Sequence, residues 1–521
     1  MEKPEKSSWQ GDDEIKETLS AAEERFELVR RTIGLFLGPL VFLILYYLPM
    51  PALSREAHVL AAILGLVVTY WVTEAIPLPV TALLGAVLAV FFRVGAPAAV
   101  MAPFAEPIVF LFLGGFILAE AMKAHSLDRR FAFSILSLSW VGSSTARILF
   151  VYGLIAAVLS MWISNTATTA MMFPIGLGIV AAMADMMKKK MGKDVDPTKL
   201  RFGTSIMLMA AYAASVGGVG TPVGTPPNLI GIAMIEQFVG IRIPFFQWML
   251  FAVPMLAVMF IVLFILMYFL HKPEVSSVEG GSEYIRAEAA NLGRWTAGQR
   301  NTVIAFAVAV VLWIMPGFLA LVYGSGSPIL RAYTSRLPEA IVALIAAGLL
   351  FVLPVDWKKR EFTINWKQAS RIDWGTLLLF GGGLSLGRLM FETKLAEAVG
   401  QGLMNLTGAT SMWGITLAAI AIAMLMSEIA SNTAAANMVV PVMISLAMAA
   451  GVNPIPPAIG ATLGASYGFM LPVSTPPNAI VYGSGMVPIT KMMRAGIVFD
   501  LIGIVIIWLG LRLLLPLVGL I

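Results

Sequence analysis

The sequence predicts an all-α polytopic membrane protein, and three observations support this fold class. Only 12% of the 521 residues are charged, about half of what a soluble domain carries. Another 59% are hydrophobic, and mean hydropathy is +0.86. Long apolar stretches recur along the whole chain. A helical span needs ~20 mostly apolar residues, whereas an outer-membrane barrel would show alternating strands of ~10 residues. The stretches here are continuous and therefore favour helices.

The composition also excludes several kinds of chemistry. There is no cysteine, so a disulfide, a thiolate metal site or a cysteine nucleophile is impossible. Only three histidines exist, no His-Glu metal motif occurs, and the glycine-rich stretches lack a Walker-type lysine. We therefore expect neither an enzyme nor a bound cofactor. The net charge of +5 reflects basic loops and does not indicate nucleic-acid binding.

The apolar stretches predict about eleven transmembrane helices plus two helical hairpins, arranged in two halves. Residues 1–31 are polar, lack a signal peptide and form a cytosolic N-terminal helix or leader. A cytosolic linker separates the halves. The predicted boundaries are 32–270 for the first half, with a hairpin at 147–187 and a broken helix at 203–239; 271–300 for the linker; and 301–521 for the second half, with a hairpin at 398–450 and a broken helix at 458–488.

The distribution of positive charge predicts the orientation. With a cytoplasmic N-terminus, most of the 35 Lys and Arg residues fall inside, as the positive-inside rule expects. The first hairpin is flanked by basic residues and opens inward, whereas the second opens outward. The same order of elements thus enters from opposite faces, an inverted repeat suited to alternating access. The basic residues left outside are Arg55, Arg93, Arg242, Arg331, Arg336, Arg388, Lys394 and Arg512.

Both hairpins carry the pattern Ser-x-x-x-Ser-Asn-Thr, at 160–166 and at 427–433. Serines four residues apart lie on one helix face. The last carbonyls of a helix have no internal partner and form its negative end. Two hydroxyls, an amide oxygen and free carbonyls therefore converge where a small hard cation can bind. The helix that follows begins at Asn and Thr, and its free N–H groups favour an anion.

Both broken helices carry Thr-Pro-Pro-Asn, at 225–228 and at 475–478. The helix breaks are Pro226, Pro227, Pro476 and Pro477, since a proline pair stops one helix and suits the first turn of the next. Unwound backbone at membrane depth is tolerated only inside protein or along a cavity. We expect its carbonyls to complete each cation site, and Thr225 and Thr475 to offer hydroxyls to the substrate.

Each motif taken once is better explained by a capped turn or a kink than by a binding site. A given tetrapeptide is expected roughly 0.003 times in this length at about 5% usage per residue, so the ordered repetition favours a site. Glu428 lies inside the second hairpin motif, where the first has Met161. An intramembrane carboxylate is a functional candidate, and two roles stay open for it: buried hydrogen bonding or proton carriage.

At these residues the chain resembles the divalent-anion/sodium symporter family, which includes dicarboxylate, citrate and sulfate carriers. The resemblance rests on the two Ser-Asn-Thr tripeptides, the two Pro-Pro-Asn segments, Glu74-Ala75-Ile76-Pro77 and the stretch 112–116. It covers about residues 30 to 520. It implies a homodimer in the bacterial cytoplasmic (inner) membrane, with a fixed scaffold domain and a mobile transport domain that moves like an elevator.

The resemblance also implies roles for individual residues. One sodium site would use Ser160, Ser164, Asn165 and Gly224, and the other Ser427, Ser431, Asn432 and Ser474. The substrate-binding residues would be Asn165, Thr166, Thr225, Asn432, Thr433 and Thr475.

The expected function is sodium-coupled uptake of C4-dicarboxylates such as succinate, malate or fumarate, with the lipid bilayer as environment. Citrate or sulfate symport, and sodium-independent dicarboxylate exchange, remain open alternatives. An ion channel is a different class, because polar helix breaks can line a selectivity filter. The two compact polar clusters, rather than a ring or a continuous stripe, argue against it.

Overall fold

The computed structural model describes residues 21–191, 195–324, 326–408 and 410–521, so most of the predicted leader lies outside the described residues. Most of the described chain, 77%, is helical. The first helix continues from the polar segment directly into an apolar span. The helices before the first hairpin are α1 (Ala21–Tyr47), α2 (Arg55–Thr73), α3 (Leu78–Phe91), α4 (Pro97–Met101), α5 (Pro107–Ala124) and α6 (Leu127–Leu136), with a 3-10 turn at Ala102–Ala105.

The first hairpin, a broken helix and a long helix follow in that order. Each forms because an apolar run is interrupted by residues that end one helix and start the next. The elements are the hairpin arms α7 (Thr145–Ser160) and α8 (Asn165–Met191), a 3-10 turn at Pro197–Lys199, the broken halves α9 (Arg201–Gly218) and α10 (Pro226–Val239), and the long helix α11 (Phe245–Leu270).

The segment predicted as a linker contains one helix, α12 (Glu279–Asn291), which packs against α8 and α6. A second group of helices then follows, with one small antiparallel ribbon in which Pro354 pairs with Phe362. The elements are α13 (Ala297–Tyr323), α14 (Pro328–Arg336), α15 (Glu339–Val352), β1 (Pro354–Asp356), β2 (Glu361–Phe362), α16 (Trp366–Ala369), α17 (Trp374–Glu392) and α18 (Leu395–Thr407).

The chain ends with a second hairpin, a second broken helix and a second long helix. The segment predicted as hairpin at 398–450 differs in one respect, because residues 398–407 belong to the separate helix α18. The elements are the arms α19 (Met412–Ile429) and α20 (Asn432–Ala449), the broken halves α21 (Ile455–Gly464) and α22 (Pro476–Tyr482) with a 3-10 turn at Pro472–Ser474 between them, and the long helix α23 (Ile489–Leu514).

Among the described residues, nine helices are long and apolar enough to cross a membrane, or ten if α14 and α15 form one bent span. This number is close to the eleven transmembrane helices predicted from the sequence, but the helices that are counted are not the same ones. Three of the nine are the hairpin arms α8, α19 and α20. The broken helices do not count, because each is split into pieces such as the seven-residue α22.

Helix packing places the hairpins and broken helices together. Helix α7 packs against α9, and α19 packs against α21. The second part of each broken helix packs on the other half of the chain. Helix α22 packs on α8 and α9, while α10 packs on α20 and α21. Both hairpins are therefore held in one body.

A second group of helices surrounds this body. Helices α1, α2, α3 and α17 form their own apolar cluster, and α5 packs against α15. At that crossing Gly114 allows close approach, because a Cβ there would lie 2.6 Å from the Cβ of Ala343. Arg30 of α1 pairs with Glu74, which is in the left-handed conformation at the end of α2. The motif residue Glu74 thus ties the first two helices together.

Candidate functional site

All four sequence motifs line one cavity of about 1160 Å³. Both hairpin tips and both helix breaks contribute to its wall, although the two copies of each motif lie 250 or more residues apart along the chain. The predicted site residues that line it are Ser164, Asn165, Thr166, Gly224, Thr225, Ser431, Asn432, Thr433, Ser474 and Thr475, together with Pro226, Pro476 and Pro477. Pro227 is buried behind this wall.

The two hairpin tips have the same internal geometry. The Ser160 hydroxyl donates to Oδ1 of Asn165 over 2.7 Å, and the Ser427 hydroxyl lies 2.7 Å from Oδ1 of Asn432. Both serines are fully buried. The serine one turn before the tripeptide and the tripeptide asparagine are therefore direct partners in both hairpins.

The remaining serine of each tip caps the second arm. The Ser164 hydroxyl accepts the backbone N–H of Ala167, and the Ser431 hydroxyl accepts that of Ala434, each over 3.2 Å. A side-chain oxygen in this position satisfies one of the unpaired N–H groups at a helix start. The helix N-termini of α8 and α20 therefore both lie at the cavity.

The two helix breaks are also alike. Thr225 and Thr475 have nearly identical backbone angles, with φ of −148° and −147°, and each precedes a Pro-Pro pair. Asn228 donates from Nδ2 to the carbonyls of Gly218 and Thr221, at 3.0 and 2.7 Å. Asn478 makes the equivalent pair of bonds to Gly468 and Leu471, both at 3.0 Å. The asparagine of each motif therefore holds the unwound segment in place.

Carbonyl oxygens converge beside Gly224 in the first break. A Cβ at this position would lie 2.4 Å from the Gly218 oxygen, 2.9 Å from that of Ser160 and 3.0 Å from that of Met161. Only glycine leaves room for these three oxygens. The Ser160 hydroxyl and the Asn165 amide oxygen come from the same hairpin tip. The structure therefore brings Ser160, Asn165 and Gly224 together, with Ser164 capping the adjoining helix.

The second cluster has a different composition. The Ser427 hydroxyl also lies 2.8 Å from the Ala465 carbonyl. Ser474 takes the place that Gly224 has in the first break, and its hydroxyl lies 2.8 Å from Oε2 of Glu428 and 2.7 Å from the Leu471 carbonyl. Ser427, Asn432 and Ser474 therefore form a second oxygen-rich cluster, and Glu428 adjoins this cluster through its hydrogen bond with Ser474.

Glu428 has the hydrogen-bonding role that was one of the two alternatives left open by the sequence. Its Oε1 accepts the backbone N–H groups of Phe469 and Met470, at 2.6 and 2.9 Å, and its side chain is buried. It therefore holds the second break as the Asn478 amide does. Met161 and Gly224 stand at the corresponding positions of the first half, where no such side-chain hydrogen bond can form.

Charges in the cavity are separated from the tips. Among its described lining residues, the basic ones are Lys123, Arg129 and Arg371, which belong to the end of α5, to α6 and to the segment before α17. None belongs to the hairpin tips or to the breaks. An anion at the tips would be held by hydroxyls, amides and helix N-termini, a neutral donor set.

Sequence reasoning missed three contributors to this region. Tyr212 of α9 donates to the Phe469 carbonyl over 2.5 Å and so links the first broken helix to the second break. The bracing role of Asn228 and Asn478 was not assigned, although both lie in the repeated tetrapeptide. Asp500 is a buried carboxyl in α23, and a lone acid within the apolar stretch 497–520 was the available signal.

The fold and the site together define a multi-span membrane transporter. A family model described as the transmembrane region of sodium:sulfate symporters matches residues 30–519. The chain belongs to this sodium:sulfate symporter family, as its motifs predicted, and its members are transporters rather than enzymes.

Two relatives are more than a third identical to this chain over the aligned residues. It is 36% identical to the sodium-dependent dicarboxylate transporter SdcS of Staphylococcus saprophyticus, over 94% of this chain and 92% of the relative. It is 35% identical to the transporter of the same name from Staphylococcus aureus, over 93% and 91% of the two chains.

Two solved structures have a similar fold. The YdaH transporter of Alcanivorax borkumensis aligns with a TM-score of 0.51 at 13% identity, covering 94% of this chain and 97% of that one. MtrF of Neisseria gonorrhoeae aligns with a TM-score of 0.54 at 13% identity, covering 94% and 96%. At this identity the likeness concerns the fold alone.

Proposed function

We propose that this protein takes up C4-dicarboxylates such as succinate, malate or fumarate, coupled to sodium, across the cytoplasmic membrane of a bacterium. The observation that carries the proposal is the pair of oxygen clusters that flank one cavity and contain no basic residue. The relatives named as sodium-dependent dicarboxylate transporters support both the ion and the substrate class.

The two clusters are proposed as the sodium sites. Ser160, Ser164, Asn165 and Gly224 provide the first, and Ser427, Ser431, Asn432 and Ser474 provide the second. Hydroxyl, amide and carbonyl oxygens suit a hard monovalent cation. Three carbonyl oxygens lie within 2.4–3.0 Å of one point beside Gly224, so their mutual repulsion would fall when a cation binds near that point.

The substrate is proposed to lie between the two tripeptides. Asn165 and Asn432 have their amide oxygens directed to Ser160 and Ser427, which leaves their N–H groups for a carboxylate. Thr166, Thr433, Thr225 and Thr475 line the same cavity with hydroxyl groups. A dianion with a carboxylate at each end matches two tripeptides that present equivalent donors.

Coupling follows from the shared asparagines. Each amide offers its oxygen to the cation side and its N–H group to the anion side, so bound sodium polarises the amide and adds positive potential beside the carboxylate. Without sodium, the substrate would be held by neutral donors alone. We expect the dianion to bind weakly unless both clusters are occupied.

The orientation predicted from charge indicates the side of the membrane to which this cavity opens. It extends from the tips to Lys123, Arg129 and Tyr284, which the basic clusters assign to the cytoplasmic side. On the other side, Arg242 forms an ion pair with Glu339 at the start of α15. The proposed state is therefore inward-facing, with the outer side closed.

An elevator-type movement is proposed for the change of state. The hairpins and broken helices pack on one another across the two halves of the chain, and they would move together as the transport domain of an inverted repeat. The helices around them would form the scaffold, and two protomers would associate as a homodimer.

A competition panel tests the site and the substrate class. Purified protein in proteoliposomes would take up labelled succinate, with unlabelled malate, fumarate, citrate and sulfate as competitors. We expect the C4-dicarboxylates to compete most strongly, and Asn165→Ala or Asn432→Ala to abolish uptake. If both variants keep wild-type uptake and sodium dependence, the site assignment is wrong. Uptake that requires internal dicarboxylate would instead identify an exchanger.

A further inference from the structure

A pair of buried carboxyl groups lies behind the second cluster, outside both proposed sodium sites. Asp500 of α23 is 5% exposed and Glu428 of α19 is 2% exposed. The two carboxyl groups are near enough for the charge of Glu428 to act on Asp500. This arrangement places two acids together in the interior of the membrane domain.

Only one of the two carboxyl groups is satisfied by hydrogen bonds. Glu428 accepts from Phe469, Met470 and Ser474, which is the pattern of an ionised, acceptor-only carboxylate. Neither oxygen of Asp500 has a hydrogen-bond partner within the described residues. The hydroxyl of the nearby Tyr212 does not supply one, because it donates to the Phe469 carbonyl.

Positive charge is also missing at this position. The groups that act on the charge of Asp500 are Glu428 and the backbone of Phe469, and no lysine or arginine of the described chain is among them. A buried charge without a partner is strongly unfavourable, and a second like charge beside it makes it more so. The pair is therefore stable only when a cation or a shared proton lies between the two carboxyl groups.

The corresponding position in the first half shows that the fold itself does not need acids here. Met161 and Glu428 each follow the first serine of their hairpin motif, and Leu256 and Asp500 are each the twelfth residue of their long helix. Leu256 and Met161 both lie beside Gly220, since a Cβ on Gly220 would lie 2.7 Å from one and 3.1 Å from the other. An apolar pair in one half corresponds to an acidic pair in the other.

We propose that Glu428 and Asp500 bind a third sodium ion, in addition to the two at the hairpin tips. The pair offers four carboxylate oxygens, and the two on Asp500 have no donor, which suits a cation that needs several hard ligands. Glu428 also holds the hydroxyl of Ser474. Occupation of the third site therefore fixes a ligand of the second site.

The inference rests on the proposed sodium coupling and adds a measurable consequence. Two sodium ions and one dianion make an electroneutral cycle, whereas a third sodium ion moves one net positive charge. Uptake by the wild-type protein should therefore be accelerated by an inside-negative potassium diffusion potential. Asp500→Asn, which keeps the shape and removes the charge, should abolish that acceleration.

The decisive experiment counts sodium ions. In proteoliposomes, the succinate gradient that just balances a set sodium gradient gives the number of sodium ions per substrate. We expect one fewer for Asp500→Asn and for Glu428→Gln than for wild type, and no change for the control Glu236→Gln, which removes a carboxyl on α10 away from the pair. Should a variant not transport, bound ²²Na⁺ on the purified protein is counted instead, again with one fewer expected.

Two results would overturn the third site. One is an unchanged sodium count in Asp500→Asn. The other is succinate-driven proton entry, followed with a trapped pH dye, that is present in wild type and lost in Asp500→Asn while the sodium count stays constant; the pair would then hold a proton. Sodium-independent uptake by the wild type would instead refute the proposed function, so the two failures are distinguishable.

Discussion

At the scale of single residues, Gly224 is a position of the site where only glycine fits. Its missing side chain leaves room for the carbonyl oxygens of Gly218, Ser160 and Met161. Sequence analysis included Gly224 in the first sodium site only through the family resemblance. The structure adds the physical reason, which is that any other residue would displace the oxygens that form the cluster.

Gly224→Ala is predicted to raise the sodium concentration for half-maximal uptake at least tenfold, about 1.4 kcal/mol of binding free energy. The added methyl group would push the three carbonyls apart. Sodium titration of succinate uptake checks this. Gly348→Ala is the matched control, because a Cβ on Gly348 of α15 meets open space. Equal sodium titrations for the two variants would contradict the role given to Gly224.

The second prediction concerns the contribution of Asn228 and Asn478 to the stability of the protein. Each donates two hydrogen bonds to carbonyls of an unwound segment that have no helical partner. Asn228→Ala should lower the free energy of unfolding by about 1–3 kcal/mol because it leaves the Gly218 carbonyl unpaired, and Asn478→Ala should do the same at the Gly468 carbonyl. Thermal unfolding of the purified protein measures this. The control is Asn405→Ala on the exposed face of α18; equal unfolding temperatures for all three variants would refute the bracing role.

The surroundings of His271 predict that the free energy of unfolding depends on pH. It follows the last residue of α11, and burial, with the charges of Lys491 and Arg494, lowers its pKa to about 4. Between pH 6.5 and 4 the unfolded chain binds a proton that the folded chain does not. The free energy of unfolding should therefore decrease as the pH is lowered through this range, by roughly 3 kcal/mol at most. In His271→Gln the unfolding temperature should change less across this pH range than in the wild type. A pH profile equal to that of the wild type would contradict this role of His271.

At the scale of elements, the helix ends could be predicted from local chemistry. Ser-Asn-Thr and Pro-Pro correctly placed the starts of α8, α20, α10 and α22, because caps and prolines act within a few residues. The amphipathic helices α6, α12, α14 and α18 were missed, since they lack a long apolar run. Their position depends on neighbouring helices, which a hydropathy pattern does not describe.

The proposed elevator predicts where a cross-link stops transport. The chain has no cysteine, so introduced pairs have no background. Gly383 of α17 faces Asn437 of α20, and a Cβ on Gly383 would lie 2.4 Å from Cγ of Asn437. Oxidation of Gly383→Cys/Asn437→Cys should block succinate uptake, and a reductant should restore it, because this bond would join scaffold to transport domain.

A pair inside the transport domain is the control for that experiment. Gly460 of α21 packs against Thr416 of α19, so oxidation of Thr416→Cys/Gly460→Cys should leave uptake nearly unchanged. If the first pair is fully cross-linked and uptake continues at the wild-type rate, the two groups of helices do not move past each other there.

At the scale of the whole molecule, composition sufficed for the class of protein, and the repeated motifs sufficed for the cavity wall. Four segments far apart in sequence were predicted to meet, and they do. The buried acid Asp500 was missed because its partner Glu428 lies on another helix. Pairing between helices is decided by tertiary packing, so it was visible only once α19 and α23 were placed side by side.

The central claim is that two oxygen clusters bind sodium and thereby create the binding site for a dianion. Its most direct test is succinate uptake by the purified protein in proteoliposomes, measured while external sodium is replaced by choline or potassium. We predict uptake that rises cooperatively with sodium and falls to background without it. Uptake of equal rate in choline or potassium would contradict the account.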